Sequence, residues 1–295
     1  MNIPKTPLDN ANKILLIGLG GGFDVFGGLP FVFHWTDKQF ILTNHSPKSR
    51  QFLHQSTPDD YPEGMIPDIP NVIQKYSIGR FGSKLVEKSI QNIIDEHNPD
   101  CIFTVDGGVD SLARGNEEDF GTVLEDFITL AALQDINLPK VHCCVGFGTE
   151  TEEDMNHYRI LENMGLLAAG GHFYGSFSLL ENRAFVSYVK ACQNAWSDGR
   201  RKSHVQTKVI SAVTGRFAND VFWDDIDPKI ANSTGKVFIS LLSSICWMFN
   251  LDAVIAKNKA VPFIKDANTF ADSQILFRQF MSKQERLRSH LPIPL

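Results

Sequence analysis

One pattern, repeated three times within residues 13–154, constrains the fold of this chain more than any other feature. An apolar run ends in glycines and acidic residues, and a segment with the signals of a helix start follows it. The three apolar runs cover residues 13–19, 101–105 and 140–146. Apolar strands that alternate with helices are typical of βα units joined by right-handed crossovers. The pattern therefore predicts a doubly wound α/β protein with a mainly parallel sheet.

The length and composition of the chain favour one large domain. The chain has 295 residues, of which 43% are hydrophobic and 21% are charged. This balance supports a sizeable core and argues against global disorder. Since no stretch has the composition of a linker, we predict an N-terminal tail at residues 1–12 and a single domain at residues 13–295. Glycines and a helix start follow the first strand directly, which is the layout of a nucleotide-type α/β first crossover.

Charge and cysteine content limit the expected partners and location. The net charge is −6, and a basic stripe is missing, so neither a nucleic-acid polymer nor a membrane is expected as a partner. Five cysteines without regular spacing suit a reducing compartment. The N-terminus lacks the apolar core of a signal peptide, and the most apolar stretch, residues 237–249, is too short to cross a bilayer. We therefore expect a soluble, cytoplasmic protein.

Aromatic residues are frequent, and we interpret them as packing residues of the core and of interfaces. The chain has 22 phenylalanines, which we interpret as core and interface residues rather than base-stacking platforms. An aromatic patch is formed by Phe217, Phe222 and Trp223. The patch favours self-association, so a homo-oligomer is expected.

The first glycine-rich loop contains Gly20, Gly21 and Gly22, followed by Phe23 and Asp24. Glycine loops between a strand and a helix bind phosphate through backbone N–H groups. Alternatively, these glycines only permit a tight turn. The dinucleotide fingerprint Gly-x-Gly-x-x-Gly fails, because Phe23 occupies the position of its last glycine. No acidic residue ends the next apolar run either, so oxidation–reduction chemistry ranks last.

The second loop, with the sequence DGGVDS at residues 106–111, is the predicted chemical centre. A buried strand that stops at Asp-Gly-Gly brings polar groups to a sheet edge where the backbone can approach a ligand closely. The predicted site residues of this loop are Asp106 and Asp110, as catalytic residues and metal ligands, and Gly107, Gly108 and Ser111, as ligand-binding residues. The loop also resembles the Ser-Gly-Gly-x-Asp-Ser phosphate loop of ATP pyrophosphatases, although Asp106 places a negative charge where the phosphate would approach.

Three further residues complete the predicted ligand site. Arg114 either binds an anion or pairs with nearby acids. Glu150, in the loop after the third apolar run, either contacts the ligand or only stabilises the start of the next helix. His172 follows two glycines and is either a site residue or a hydrogen-bonded structural histidine.

The acids after the strands are expected to converge, because ligands of parallel α/β sheets bind beyond the carboxyl ends of the strands. The converging acids would be Asp24, Asp106, Asp110, Glu150 and either Glu118 or Asp119. Clustered carboxylates hold Mg²⁺ or the hydroxyls of a sugar, whereas glycine amides bind anions. We predict Asp24 as a third metal ligand, beside the two acids of the second loop. The cofactor stays unknown from the sequence, with Mg²⁺ as one candidate.

Two functions follow from this ligand set, and the residues leave both open. The first is a metal-assisted hydrolase or transferase acting on a small polar ligand that resembles a nucleotide, a nucleoside or a sugar phosphate. The second is a non-catalytic sensor of the same kind of ligand. An ATP pyrophosphatase remains a third alternative, on the strength of the phosphate-loop resemblance.

Three segments together resemble the family known as domain of unknown function 1152. They are LIGLGGGFDVFGGLP, VDGGVDSLARGNEEDFGTVLEDFITLAAL and VGFGTETEED. The resemblance implies a Rossmann-like α/β fold and implies no activity.

Several further elements are predicted with less regular patterns. Thr122 and Glu125 have the spacing of a capping box and predict a helix start. Residues 205–213 and 251–256 are predicted as strands, and residues 238–249 as a buried helix. The proline-punctuated stretch at residues 46–76 is expected to form a long loop that acts as a lid or an arm.

Overall fold

An eight-stranded sheet forms the centre of the protein. The computed structural model describes residues 3–21, 23–46, 52–57, 66–150, 155–180, 183–197, 202–217 and 239–286. The strands are β1 (Lys13–Gly21), β2 (Gln39–Ser46), β3 (Leu53–Gln55), β4 (Val72–Gly79), β5 (Cys101–Asp106), β6 (Lys140–Val145), β7 (Phe173–Ser178) and β8 (Ile245–Asn250).

Helices connect the strands and cover the sheet. The α-helices are α1 (Asp24–Gly27), α2 (Leu29–His34), α3 (Ser83–His97), α4 (Leu124–Leu133), α5 (His157–Ala169), α6 (Arg183–Trp196), α7 (His204–Val213), α8 (Leu251–Lys257), α9 (Val261–Ile264) and α10 (Phe270–Lys283). Within the described residues, short 3-10 helices span Pro7–Asn10, Asp110–Leu112 and Leu241–Ser244.

The strand order defines where loops converge. The order across the sheet is β3-β4-β2-β1-β5-β6-β8-β7, and the five strands from β4 to β6 in this order run parallel. β3 and β8 are antiparallel to β4 and β6 respectively. The chain first moves from β1 to β2 and β4, and then crosses to β5 and β6 on the other side. The boundary between β1 and β5 is therefore a topological switch point, where loops after the strands diverge and leave a crevice.

The central strands are buried on both faces, as expected for a parallel sheet covered by helices. In β1, Leu15 packs into the core beneath α3 and α4, whereas Leu16 packs into the core beneath α2 and α6. Ile102 and Phe103 of β5 divide between the same two cores. The predicted α/β class and mainly parallel sheet are confirmed.

Three predictions for the second half of the chain were wrong. Residues 205–213, predicted as a strand, belong to helix α7, and residues 251–256, also predicted as a strand, belong to helix α8. Of the helix predicted at residues 238–249, residues 245–249 belong to strand β8. Side-chain caps explain two of these differences. Ser203 accepts a hydrogen bond from the third amide of α7, and Asn250 does the same for α8. Such caps start helices in runs whose apolar pattern alone fits a strand equally well.

The N-terminal stretch and the predicted lid also differ from expectation. Leu8, in the predicted tail, is fully buried against the core. The region predicted as a long loop contributes β3 and the first half of β4, while residues 47–51 and 58–65 lie outside the described residues. In the described part of the chain, no helix is both long and apolar enough to span a membrane. Of the predicted aromatic patch, Phe222 and Trp223 lie outside the described residues.

A buried histidine joins the sheet to helix α4. Nε2 of His45, in β2, lies 2.8 Å from Oγ1 of Thr129. The Thr129 hydroxyl donates to the carbonyl oxygen of Leu19 at 2.7 Å, so His45 is the donor to Thr129. Burial lowers the pKa of His45 to about 4 from 6.5, because a charged imidazole would lose its hydration here.

We expect the His45→Gln variant to be less sensitive to acid than the wild type. The unfolded histidine binds a proton below pH 6.5, whereas the folded one does so only near its lowered pKa, so the contribution of His45 to stability is lost as the pH falls from 7 to 5. This loss amounts to about 2 kcal/mol for one such histidine. Denaturant unfolding at both pH values measures the difference. An equal loss in the variant would contradict the assignment.

Candidate functional site

A cleft opens at the carboxyl ends of β1 and β5, at the switch point of the sheet. It has a volume of about 600 Å³, which is within the range of small-molecule sites. Its floor consists of the loops after β1, β5 and β6, and the first turns of α4 and α7 and one side of α10 complete its walls. Six acids line it: Asp24, Asp106, Asp110, Glu125, Asp126 and Glu150.

Three of these acids form a tight group. Asp106 is the last residue of β5, Asp110 begins the 3-10 helix that follows, and Asp126 lies in the first turn of α4. Each offers a carboxylate oxygen, and these oxygens all lie within 4.8 Å of one another. The three residues are at most 5% exposed. This geometry suits a divalent cation held by oxygen ligands.

Asp126 provides a second indication that the group is built to hold a positive charge. Its Oδ1 atom is buried and has no hydrogen-bond partner. Burial raises the pKa of Asp126 well above its usual range, and repulsion from Asp110, Asp106, Asp24 and Glu150 adds to this effect. A buried carboxylate oxygen without a partner is costly unless it binds a proton or a cation. The site is therefore arranged for a positively charged species.

Asp106 is held from behind by a hydrogen-bond network. Its Oδ2 accepts from the amide of Ser111 at 3.2 Å and from the Ser111 hydroxyl. Oγ of Ser111 lies 3.0 Å from Nε2 of His142, whose Nδ1 lies 2.9 Å from Oγ1 of Thr104. Burial raises the pKa of Asp106 to about 6, against the effect of the Ser111 hydrogen bonds. The network fixes the carboxylate and leaves it able to exchange a proton near neutral pH.

A second group of metal-type ligands, Asp106, His142 and Cys144, shares this network. His142 Nε2 lies 3.0 Å from Cys144 Sγ, so these two atoms form a hydrogen bond with each other. Burial raises the pKa of the Cys144 thiol, and the charge of Asp106 raises it further. A thiol that stays protonated is a poor metal ligand, so this group is structural.

The glycines of the first two loops make room for carboxylates. The amide of Gly20 donates to Asp24 Oδ2 at 2.9 Å, and a β-carbon at Gly20 would lie 2.7 Å from the same oxygen. A β-carbon at Gly107 would lie 2.7 Å from Asp24 Oδ1. These separations are shorter than van der Waals contact. Two glycines from neighbouring strands therefore enclose one carboxylate between them.

The same arrangement holds Glu150 against the second loop. The amide of Val109 donates to Glu150 Oε2 at 2.7 Å. A β-carbon at Gly108 would collide with this carboxylate, since both of its oxygens would be 2.5 Å away. The amides that the sequence suggested for phosphate thus bind acidic side chains of the protein itself.

The predicted site residues divide between the cleft and other places. Those that line the cleft are Gly20, Gly21, Asp24, Asp106, Gly107, Asp110 and Glu150. Gly108 and Ser111 are buried beside it, in contact with Glu150 and Asp106 respectively. Gly22 lies outside the described residues.

Arg114 and His172 are not brought to the cleft. Arg114 follows the 3-10 helix and lines a separate small cavity with Lys257 and Asn258. His172 precedes β7, which runs in the same direction as β6, so it lies at the amino edge of the sheet, where its carbonyl oxygen accepts from Asn250 at 2.9 Å. Glu118 and Asp119 are exposed and do not line the cleft either.

Helix α4 contributes acids that the sequence analysis missed. The predicted capping box is absent, because α4 begins at Leu124 and its N-cap, Val123, makes no side-chain cap hydrogen bond. Glu125 instead pairs with Arg80, whose Nε lies 2.9 Å from Glu125 Oε1. The adjacent acids Glu125 and Asp126 at a helix start were the available signal.

The geometry defines a class: an α/β protein with an acidic cleft at the switch point of a mainly parallel sheet. The model of one family, described as a protein of unknown function (DUF1152), matches residues 76–286. The chain belongs to this family, as its motifs suggested. The match includes the three clustered aspartates and Glu150, whereas the first glycine loop with Asp24 precedes it. No curated protein matches the chain.

We expect the Gly108→Ala variant to be destabilised by about 1–3 kcal/mol, because the added methyl group displaces Glu150 in a packed site. Gly165→Ala is the matched control. Gly165 lies in α5, where an added methyl group would have no neighbour within 4 Å, so alanine there is expected to be neutral or to stabilise the helix. Denaturant unfolding measures both, and equal stability of the two variants would contradict the packing described.

We expect the clustered carboxyls of the metal-free wild type to contribute stability that is lost as the pH rises from 5 to 8, a change opposite in sign to the contribution of His45. The folded carboxyls of Asp106 and Asp126 have raised pKa values, so the folded state holds protons that the unfolded state has released, and its advantage is lost as these groups ionise. Asp126→Asn cannot ionise at this position, so its stability should fall less, or rise more, than that of the wild type over this range. Unfolding in the presence of a chelator measures this, with Asp95→Asn, an exposed acid on α3, expected to behave as the wild type does.

Proposed function

We propose that the protein is a metal-assisted hydrolase or transferase acting on a small polar ligand of the nucleotide, nucleoside or sugar-phosphate kind. One observation carries the proposal. Asp106, Asp110 and Asp126 converge within 4.8 Å, and a buried oxygen of Asp126 has no partner. Mg²⁺ is the cation that this set of oxygen ligands suits when substrate phosphates supply the remaining ligands.

The cation would also allow an anionic substrate to enter. Six acids line the cleft, and Arg80 is the one lysine or arginine among the described lining residues. Without a cation, these acids would repel a phosphate. Mg²⁺ held by Asp110 and Asp126 would reduce the local negative charge and would supply a positive charge for the phosphate.

Helix termini support the anionic end of such a ligand. The first turn of α4 lines the cleft through Val123 and Leu124 and has no side-chain cap hydrogen bond. The start of α7 lines it through Ser203 and His204. Amide groups and the helix dipole at these termini favour negative charge.

Within this proposal, Asp106 is the general base. Its pKa of about 6 suits proton transfer near neutral pH, since an efficient catalytic group titrates close to the working pH. It would accept the proton of the attacking water or hydroxyl, while Asp110 and Asp126 hold the cation. Ser111 and His142 would keep the Asp106 carboxylate in position during the transfer.

The pyrophosphatase alternative receives less support from the same site. A phosphate loop needs free backbone amides and no nearby negative charge. Here the amide of Val109 donates to Glu150, and Asp24 occupies the space beside Gly107. The sensor alternative uses the same ligand set and differs from an enzyme only in turnover.

Metal binding and turnover test the proposal together. We expect the wild type to bind Mn²⁺, followed by electron paramagnetic resonance, and Asp110→Asn and Asp126→Asn to bind it at least tenfold more weakly. Asp95→Asn should bind as the wild type does. We further expect Mg²⁺-dependent turnover of at least one member of a panel of nucleotides, nucleosides and sugar phosphates, with Asp106→Asn inactive. Equal Mn²⁺ affinity in all four proteins would overturn the metal site, and metal-dependent ligand binding without turnover would identify a sensor.

A further inference from the structure

We propose that the ligand carries a planar heteroaromatic ring, which stacks on an aromatic wall of the cleft. This inference rests on the proposed function, because it assigns the part of the ligand that does not reach the acids. The wall consists of Phe120, Phe270 and Phe277, all of which line the cleft and are partly exposed. It narrows the ligand class from nucleotides, nucleosides and sugar phosphates to those with a nucleobase-like ring.

Helix α10 presents most of this wall. Phe270, Gln274 and Phe277 are four and three residues apart, so they lie on one side of the helix, and all three line the cleft. Phe120 reaches the same wall from the loop before α4. A helix side that is apolar and aromatic yet faces a cleft is suited to bind a flat apolar surface.

The rings are supported from behind and are therefore preorganised. Phe277 meets Phe120 at 5.8 Å and Phe127 at 5.9 Å between ring centroids, both in edge-to-face geometry. Phe127 is fully buried in the core. Rings fixed in this way lose little conformational freedom when a ligand stacks on them.

The start of α10 is anchored to the sheet as well. The backbone amide of Gly82, just after β4, donates to the carbonyl oxygen of Asn268 at 3.1 Å. The backbone amide of Lys84 donates to the carbonyl oxygen of Ala267 at 3.0 Å. A β-bridge joins Phe81 to Thr269 next to these bonds. The aromatic wall is thus tied to the connection that also carries Arg80.

Arg80 links the wall to the acidic floor. Its guanidinium lies 3.9 Å from the centroid of the Phe270 ring and pairs with Glu125. The arginine is thereby already placed to stack on a flat group, because a guanidinium is planar and stacks on aromatic faces. A ligand with both a ring and a polar end would contact the wall and the floor at once.

The division between the two surfaces argues for a ring rather than a sugar phosphate alone. The hydroxyls and phosphate of a sugar phosphate can be satisfied by carboxylates, a cation and helix termini, which leaves the exposed parts of the three rings uncovered. Arg80 lies over one face of Phe270 and Arg286 over one face of Phe120. A nucleobase covers such rings and presents an edge with donors and acceptors. The amide of Gln274, beside Phe277 on the wall, offers both a donor and an acceptor to that edge.

The experiment compares ligands that differ only in the ring. In the presence of saturating Mn²⁺, whose binding is established first, calorimetry measures the affinity of AMP, GMP, CMP and UMP against ribose 5-phosphate. We expect at least one nucleotide to bind about tenfold more tightly or better, since stacking of a base on an aromatic side chain contributes roughly 1–3 kcal/mol. Failure to bind Mn²⁺ would overturn the proposed function itself. Mn²⁺ binding with no nucleotide preferred over ribose 5-phosphate would overturn the aromatic wall alone.

Variants assign the preference to the wall. Phe120→Leu and Phe277→Leu remove a π-face while keeping an apolar side chain, and each should reduce the nucleotide preference several-fold with Mn²⁺ affinity unchanged. Phe277→Tyr keeps the ring and should keep the preference. Phe263→Leu is the control, because Phe263 is 45% exposed and packs on Phe280 but does not line the cleft. Equal effects of the Phe120 and Phe263 variants would overturn the inference, even if the Phe277 variant fails to fold.

Discussion

Repulsion among buried carboxylates is the interaction on which the rest of this site depends. Asp106, Asp110 and Asp126 are almost completely buried, and their charges raise the pKa of Asp126 above what burial alone does. Such a group is unfavourable unless protons or a cation balance it. The fold nevertheless places it at the sheet's switch point, where β5, the 3-10 helix after it and α4 each hold one of the acids in position. A cost of this kind, fixed by the backbone, is typical of a site that is stable only when its ligand is bound.

The clustered carboxylates also explain why the loops contain glycines at these positions. Gly20, Gly107 and Gly108 each lie where a β-carbon would overlap a carboxylate of another segment. They allow Asp24 and Glu150 to approach the backbone and accept its amide hydrogens. A glycine-rich loop after a strand is usually interpreted as a phosphate cradle. In this protein the amides bind acids, and the acids in turn are available to bind a cation.

The strands β1, β5 and β6 could be predicted from sequence because each is an apolar run that gives way to glycines and acids, which fixes both the strand and the edge where its loop lies. That rule placed Asp24, Asp106, Asp110 and Glu150 in one cleft. Asp126 was missed because it lies in the first turn of a helix. An acid there is usually explained by its favourable interaction with the helix dipole. His172 lies away from the cleft for a different reason. Its glycines suggested a strand end, but β7 begins there, at the opposite edge of the sheet. The later strand β8 and helix α8 are both short apolar runs, which only their caps and pairing partners distinguish.

The aromatic wall shows why the rest of the site needed the fold. Phe120 and Phe277 are separated by more than half of the chain, and nothing local distinguishes them from the other phenylalanines that fill the core. They become part of a cleft only because the segment before α10 is bonded to the connection after β4. The acidic floor is thus built mainly from strand ends, whose positions the sheet determines, whereas the wall is built mainly from a helix attached at its start. The two surfaces are joined, since Phe120 leads into α4 and Arg80 pairs with Glu125 of that helix while it lies over Phe270, so the chemistry at the floor and the choice of ligand at the wall are coupled.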